Sequence, residues 1–333
     1  MIIQAYAANK AKQILKPFIY KKPKLGPYSV EIVISHCGIC HSDIHLIDND
    51  WKISTYPLVP GHEIIGHVVK KGALVTGVKK GDRVGVSWQR SSCLHCDECL
   101  SGNDNTCLQK EATCVGHHGG FADRIIVDGR FIYSIPKKLD SAEAAPLLCG
   151  GATVFAPLKR YAKPHMSVAI IGIGGLGHLG LQFASAFGCE VTALSSSKGK
   201  EKEAKRFGAD RFVSIKDKKA LQKIGGSFDF ILSTSPADLK ADQLVGLLKP
   251  SGVLCFVGRP HEPLEVEVGL LISGQKSICG STVASRDTIN EMLKFAERHG
   301  IKAQIELFPF NKVNEAIARL RKNQVRYRAV LGL

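Results

Sequence analysis

A chain of 333 residues is too long for one modest core and suits two domains, each able to bury most of its apolar surface. Hydrophobic residues make up 44%, with 33 glycines, which excludes a disordered, fibrous or low-complexity protein. The net charge of +15 raises nucleic-acid binding, but Lys198, Lys200, Lys202, Lys205 and Arg206 are interleaved with Glu201 and Glu203, as on a solvated helix face. No aromatic-interleaved basic strand or recognition helix accompanies the charge, so no nucleic-acid partner is expected. No stretch approaches the ~18 apolar residues of a membrane span, and Met1 to Lys16 has no apolar leader core, so a cytoplasmic protein without a membrane partner is expected. Eleven cysteines, several at metal-ligand spacing, fit a reducing compartment better than a disulfide framework.

Up to about residue 140, short apolar or alternating runs punctuated by glycine and proline predict strands at Ser29 to Ser35, Ile64 to Lys70 and Asp82 to Ser87. Within this mostly β region, Cys93, Cys96, Cys99 and Cys107 form a ladder that offers four thiolates to one tetrahedral centre. A closed zinc site is the first reading, and an iron-sulfur cluster is the alternative. Four protein ligands leave no open position, so this metal is structural and any catalysis must come from elsewhere. Further soft or borderline ligands are scattered: Cys40 in Cys37-Gly-Ile-Cys40-His-Ser42-Asp43, His62 in Pro60-Gly-His62-Glu63, and Cys149 in Leu147-Leu-Cys149-Gly-Gly151. An open metal site is assembled by folding in this way, although Cys149 also reads as a small buried apolar residue and Cys37 with Cys40 as a redox pair.

From Val168 the rhythm becomes strand alternating with helix. Strands are expected at Val168 to Ile171, Glu190 to Leu194, Phe228 to Leu232 and Val253 to Val257, with helices at Lys200 to Phe207 and Leu239 to Leu248. Gly172-Ile-Gly174-Gly175-Leu176-Gly177 follows the first of these strands and opens a helix, the context of a dinucleotide-binding turn. Gly172 permits the turn, Gly174 lets backbone approach a pyrophosphate, and Gly177 allows close helix packing. At the end of the second strand, where an NAD site carries an acid, stand Ser195, Ser196, Ser197, Lys198, Gly199 and Lys200. Hydroxyls and lysines suit a 2'-phosphate that a carboxylate would repel, so NADP(H) is expected. A helix at Ile289 to Arg298, a second bearing Val313, Ile317 and Leu320, and a strand from Val325 to Leu331 close the chain and are expected to return to the first domain.

Taken together, the runs CGICHSDIH, YPLVPGHE, GDRVGVSW, PLLCGGATVF, GIGGLGHLGLQFA and SSSKGK resemble the zinc-dependent medium-chain alcohol dehydrogenases, and within them the cinnamyl alcohol dehydrogenase class with its bacterial NADPH-dependent aldehyde reductases. The resemblance runs end to end. It implies an α/β protein with a GroES-like, mostly β catalytic domain over 1–146 and 285–333 and a Rossmann domain over 147–284. It implies a catalytic zinc on Cys40, His62 and Cys149 with Glu63 as an outer or transient ligand, a structural zinc on the four-cysteine lobe, and thus two zinc ions per chain. Ser42 and His45 are implied as a proton relay, and Asp43 as an outer-shell group. Thr153, Thr234, Gly258, Ser281, Thr282 and Val283 are implied around the nicotinamide half, and Trp51, Ile53 and Trp88 in the substrate pocket.

The implied reaction is reversible hydride transfer between NADP(H) and a broad range of aldehydes and primary alcohols, by a homodimer. The segment Leu108 to His118 is shorter than in the plant enzymes and lacks their aromatic residue, which argues against phenylpropenyl aldehydes as the natural substrate. An NAD-dependent polyol or secondary-alcohol dehydrogenase of the same superfamily is the alternative. A zinc-ribbon nucleic-acid-binding protein is the reading from a different class.

Overall fold

The computed structural model describes residues 1–235, 240–258 and 262–333. The chain divides into two compact units, one of Met1–Cys149, Ser285–Glu297 and Lys302–Leu333, the other of Gly150–Ala284 and Arg298–Ile301.

The first unit is built on a mixed sheet in the order Ile305–Pro309, Arg328–Gly332, Ser29–Ile39, Glu63–Lys71, Arg83–Val86 and Ile132–Ser134, with Arg124–Asp128 also paired to Ser29–Ile39. Val30, Ile32, Ile34, Ile64, Val68, Val84 and Val86 form its core with Phe121 and Ile125. The central strand runs four residues beyond the expected Ser35, because Glu63–Lys71 pairs with it as far as Gly38 and Arg328–Gly332 flanks its other side as far as Ile39. An N-terminal antiparallel hairpin, Ile2–Ala7 with Lys16–Lys21, was not legible: Lys16-Pro-Phe-Ile-Tyr-Lys21 exposes both lysines, and Pro17 argues against a strand.

One short helix positions most of the chemistry in this unit. His41–Asp48 begins at Cys40, where the Asp43 carboxylate accepts the Cys40 N–H at 2.8 Å, a capping-box arrangement. It ends at Asn49, whose left-handed φ of 58° reverses the chain. Ile44, Leu46 and Ile47 bury its apolar face.

Among the described residues the second unit carries six parallel strands in the order Arg211–Ser214, Glu190–Ser195, Ser167–Ile171, Phe228–Ser233, Leu248–Phe256 and Ser277–Gly280. This strand order, with helices between successive parallel strands, is that of a doubly wound sheet. The helix opened by the glycine motif spans Gly177–Ala186. Leu239, the first residue of one expected helix, lies outside the described residues; the helix there spans Ala241–Gly246, and the strand expected from Val253 starts at Leu248. Gly246 and Leu247 end the helix early, and Leu248 already pairs with Phe228, with an irregular register before Val253.

Candidate active site

In the first unit Cys40, His62, Glu63 and Cys149 come together with all four ligand atoms within 4.8 Å of one another. Cys40 caps the helix His41–Asp48, His62 and Glu63 sit at the start of Glu63–Lys71, and Cys149 follows a helical turn, Ala145–Leu148. That turn is tied to the sheet by the buried Ser87, whose hydroxyl donates to the Leu148 carbonyl at 2.5 Å.

Asp43 organises the site. It is fully buried, and besides the Cys40 N–H its carboxylate accepts the Gly61 N–H at 2.9 Å and lies 3.0 Å from His62 Nδ1. A carboxylate can only accept, so Nδ1 carries a proton and Nε2 is the ring atom left to face a ligand. That Nε2 is buried without a hydrogen-bond partner. An unpartnered buried ring nitrogen of this kind, grouped with two thiols, fits a divalent soft-to-borderline cation such as zinc.

The protonation states of the metal-free protein agree. A hydrogen bond from Cys149 draws the Cys40 thiol well below its ordinary value, while the same bond and burial push Cys149 well above it. One proton is thus held on Cys149, and metal binding would displace it. Burial disfavours a charged His62, yet Asp43 outweighs it and holds the imidazole well above its usual range, so metal binding would displace a proton from Nε2 as well.

Glu63 is buried beside the thiols, and one of its oxygens pairs with Arg328 Nη2 from the strand Arg328–Gly332. Burial pushes its carboxyl up to about 7, against the pull of Arg328. Its other oxygen, Oε2, has no hydrogen-bond partner. Asp43, His62 and Cys114 also lie close enough to hold a cation. Their donors are engaged, however: Asp43 with His62 as above, and the Cys114 thiol on the Gly61 carbonyl at 3.1 Å. Cys37 is fully buried, and its thiol lies 3.6 Å from its own strand's Gly38 carbonyl.

Around the metal ligands, Ser42 Oγ lies 3.7 Å from Cys40 Sγ. Trp88 meets the His62 ring edge-on at 5.0 Å, Trp51 stands 6.0 Å from Trp88, and His45 tilts against Trp51 at 5.2 Å. Ile53 is largely exposed. His45 Nδ1 lies 2.7 Å from the Asp50 carboxylate, a partner that sequence reading missed along with Arg328.

The lobe thiols Cys93, Cys96, Cys99 and Cys107 also lie within 4.8 Å of one another. Ligands at ~2.3 Å in a tetrahedron stand about 3.8 Å apart. Cys93 Sγ is 3.8 Å from Cys99 Sγ and 3.6 Å from Cys107 Sγ, so the lobe fits zinc. The His95 N–H, opposed by partial desolvation and helped by the Cys96 N–H, draws the Cys93 thiol down to about 6. The buried Asp104 anchors the lobe to Arg286 through the backbone N–H at 3.2 Å and Nε at 3.1 Å.

In the second unit Gly172 has a φ of 85°, and a Cβ on Gly177 would overlap the Gly172 carbonyl oxygen, so both glycines are required by the turn itself. A Cβ on Gly174 would meet nothing within 4 Å, leaving its backbone open to a ligand. Gly175 and Leu176 lead into the helix. Lys200 Nζ donates to the Ile173 carbonyl at 2.5 Å, which folds an ammonium onto this turn. Ser195 is buried and its hydroxyl accepts the Ser197 N–H at 3.2 Å, whereas Ser196 and Ser197 are exposed.

Thr153 is half-buried on the helix Gly150–Tyr161. The Thr234 hydroxyl faces the Ile171 and Gly172 carbonyls at 2.8 Å each, so it braces the glycine turn. Gly258 packs against the backbone of Thr234 and Ser235, where a Cβ would come within 2.8 Å of the Ser235 carbonyl oxygen. Ser281 donates its N–H to Phe256 at 3.0 Å, and Thr282 and Val283 follow it with Thr282 exposed.

The alcohol dehydrogenase GroES-like domain family matches residues 26–137, and the zinc-binding dehydrogenase family matches residues 175–298. An aldehyde reductase of Synechocystis sp. is 46% identical over 99% of this chain and 99% of its own length. Among solved structures, a cinnamyl alcohol dehydrogenase of Sorghum bicolor superposes with a TM-score of 0.95 at 39% identity, covering 100% of this chain and 98% of that one. A cinnamyl alcohol dehydrogenase of Helicobacter pylori, solved with NADP(H), superposes with a TM-score of 0.92 at 30% identity, over 99% and 98%. Two thiol-rich metal sites, a dinucleotide turn and end-to-end similarity lead to one conclusion: the chain belongs to the zinc-binding alcohol dehydrogenases.

Proposed function

We propose that the protein reduces a broad range of aldehydes to primary alcohols with NADPH, reversibly, at the Cys40, His62 and Cys149 site. The observation that carries this is the unpartnered His62 Nε2 between two thiols, with the carboxylate of Glu63 beside them. When bound, zinc supplies a Lewis acid for the carbonyl oxygen and the reduced nicotinamide supplies hydride. Asp43 holds His62 in the tautomer that can ligate, and Arg328 holds Glu63 at the margin of the site. Trp88 and Trp51 give an apolar wall for the substrate's hydrocarbon part. Ser42 and His45 are the proton-handling groups: Asp50 holds the His45 Nδ1–H, and the half-exposed ring exchanges protons with solvent.

NADPH preference rests on the exposed Ser196 and Ser197 and the nearby Lys198 and Lys200. The Helicobacter relative binds NADP(H), which supports the same reading. A carboxylate ~4 Å from a 2'-phosphate costs on the order of 4 kcal/mol before solvent relaxation, so Ser196→Asp should shift selectivity toward NADH at least tenfold. Steady-state kinetics with both cofactors and a panel of aldehydes and polyols tests the proposal. A wild-type kcat/KM favouring NADH would overturn it, as would a rate that survives removal of both zinc ions. Thiolate ligands need a reducing compartment, and a cytoplasmic homodimer fits the unpaired edge strand Ser277–Gly280 with the exposed Val268 and Ile272 nearby in the chain. No helix among the described residues is long and apolar enough to cross a membrane.

A further inference from the structure

A buried histidine outside the metal site stands beside the glycine turn. His178 lies in the first turn of the helix Gly177–Ala186 and is fully buried. Its ring meets Phe207 edge-on at 5.4 Å. An apolar ring would fill that contact without the cost of burying nitrogen, so the imidazole is distinguished by its hydrogen bonding. Nδ1 lies 3.0 Å from the Gly174 carbonyl oxygen, and the same oxygen accepts the His178 backbone N–H at 3.1 Å. A carbonyl can only accept, so Nδ1 carries a proton. Gly174 is thus held by two donors of one residue. The two carbonyls before it also face side-chain donors, Gly172 the Thr234 hydroxyl and Ile173 the Lys200 ammonium.

The consequence falls on the amides. A peptide unit is planar and trans, so its C=O and N–H point in opposite directions. Drawing the Gly174 C=O toward the first turn of the helix therefore points the Gly175 N–H out of the helix's N-terminal end. Among the described residues no acceptor meets the N–H groups of Gly174, Gly175 or Leu176. Backbone donors left over at such a turn are the groups that a dinucleotide pyrophosphate takes up.

We propose that His178 is a positioning residue for the cofactor pyrophosphate: its Nδ1–H fixes the Gly174 peptide so that the Gly175 N–H is presented to a phosphate oxygen. The imidazole acts through that peptide and touches no ligand. This deepens the NADPH reading and rests on the glycine turn binding a dinucleotide, but it requires only the pyrophosphate and not the 2'-phosphate.

The test is equilibrium binding to the zinc-loaded full-length protein by calorimetry, with NADPH, NADH and adenosine 2'-phosphate as probes, the last lacking a pyrophosphate. His178→Phe keeps a ring against Phe207 and removes the donor, whereas His178→Asn keeps an N–H donor on the γ branch and gives up the ring contact. His178→Phe should weaken NADPH and NADH by a common factor of about 3- to 10-fold, the worth of one hydrogen bond, with adenosine 2'-phosphate unchanged. His178→Asn should melt at a lower temperature than wild type yet bind NADPH within about twofold of it. Nitrogen NMR of the wild-type imidazoles, which needs no variant to fold, should show a proton on His178 Nδ1. Tighter wild-type binding of NADH than of NADPH would overturn the cofactor preference, while the common factor in His178→Phe would still support the role of His178. An Nδ1 without a proton, wild-type NADPH affinity in His178→Phe, an equal loss for adenosine 2'-phosphate, or a loss in His178→Asn as large as in His178→Phe would each overturn the proposal.

Discussion

Replacing Gly38 by alanine probes how tightly the strand pairing dictates the metal site. Gly38 pairs directly with Glu63, and an added methyl would overlap Glu63 Oε2 while standing 3.0 Å from its Cβ and 3.1 Å from its Cδ. Turning the carboxylate away would not relieve the clash, because the contact includes the stem of the side chain. It would also release the buried Arg328, and breaking a buried ion pair costs about 3–5 kcal/mol. Shifting the strands by a few tenths of an ångström is the cheaper response, within the ~1–3 kcal/mol typical of overpacking. That shift moves Cys40, two residues beyond Gly38, and His62, one residue before Glu63. Gly38→Ala should therefore lower stability by about 2 kcal/mol and weaken zinc binding roughly 10- to 100-fold. Urea denaturation of the zinc-loaded protein and competitive chelator titration read the two effects. The decisive control is a double-mutant cycle: in a Glu63→Ala background the overlapping atoms are mostly gone, so Gly38→Ala should cost less than ~1 kcal/mol. Equal costs in the two backgrounds would refute the steric account.

Asp43→Asn removes the charge that fixes the His62 tautomer but keeps the shape, so zinc at the Cys40 site should bind about 10- to 100-fold more weakly while the lobe zinc is unaffected. Metal analysis after graded chelator treatment checks this, and loss of both ions together would contradict it. Cys99→Ser should lower zinc content from two ions to one and reduce the melting temperature, with any activity lost through unfolding; a stable, fully loaded but inactive protein would be the wrong outcome. Glu31 lies buried between Lys22 at 2.7 Å and Arg124 at 3.2 Å. Burial raises its carboxyl, but the two cations outweigh it and the net value is below normal. Its contribution is therefore present above the unfolded value of about 4.3 and is lost as pH falls through the lower folded value. Glu31→Gln should lower the urea midpoint at pH 7, with the gap to wild type narrowing below about pH 4; a gap independent of pH would contradict the pairing.

What could be read from the chain divides by how local each device is. The four lobe cysteines and the glycine turn are local, so spacing alone announces their chemistry. Cys40, His62 and Cys149 are far apart, and only resemblance joined them before the fold brought their ligand atoms within 4.8 Å. Asp50 is close in sequence to His45 yet was invisible. Its approach depends on the helix ending at Asn49, where a left-handed residue turns the chain and the Asp50 N–H closes on the His45 carbonyl at 3.0 Å. Arg328 was hidden for the opposite reason: it pairs with Glu63 across 265 positions, and a buried arginine in a predicted strand has no periodic signature. Thr234 marks a further limit, since its single hydroxyl hydrogen is directed to two carbonyls of the glycine turn, a bracing role that motif position does not distinguish from ligand contact. Asp50 is exposed and is placed by the turn at Asn49, whereas for Arg328 and Thr234 the missing information is a polar group buried with its partner rather than by hydrophobic pattern. Such groups must be paired to be tolerated inside a protein, so the residues hardest to read from sequence are those that hold the metal ligands and the cofactor turn in shape.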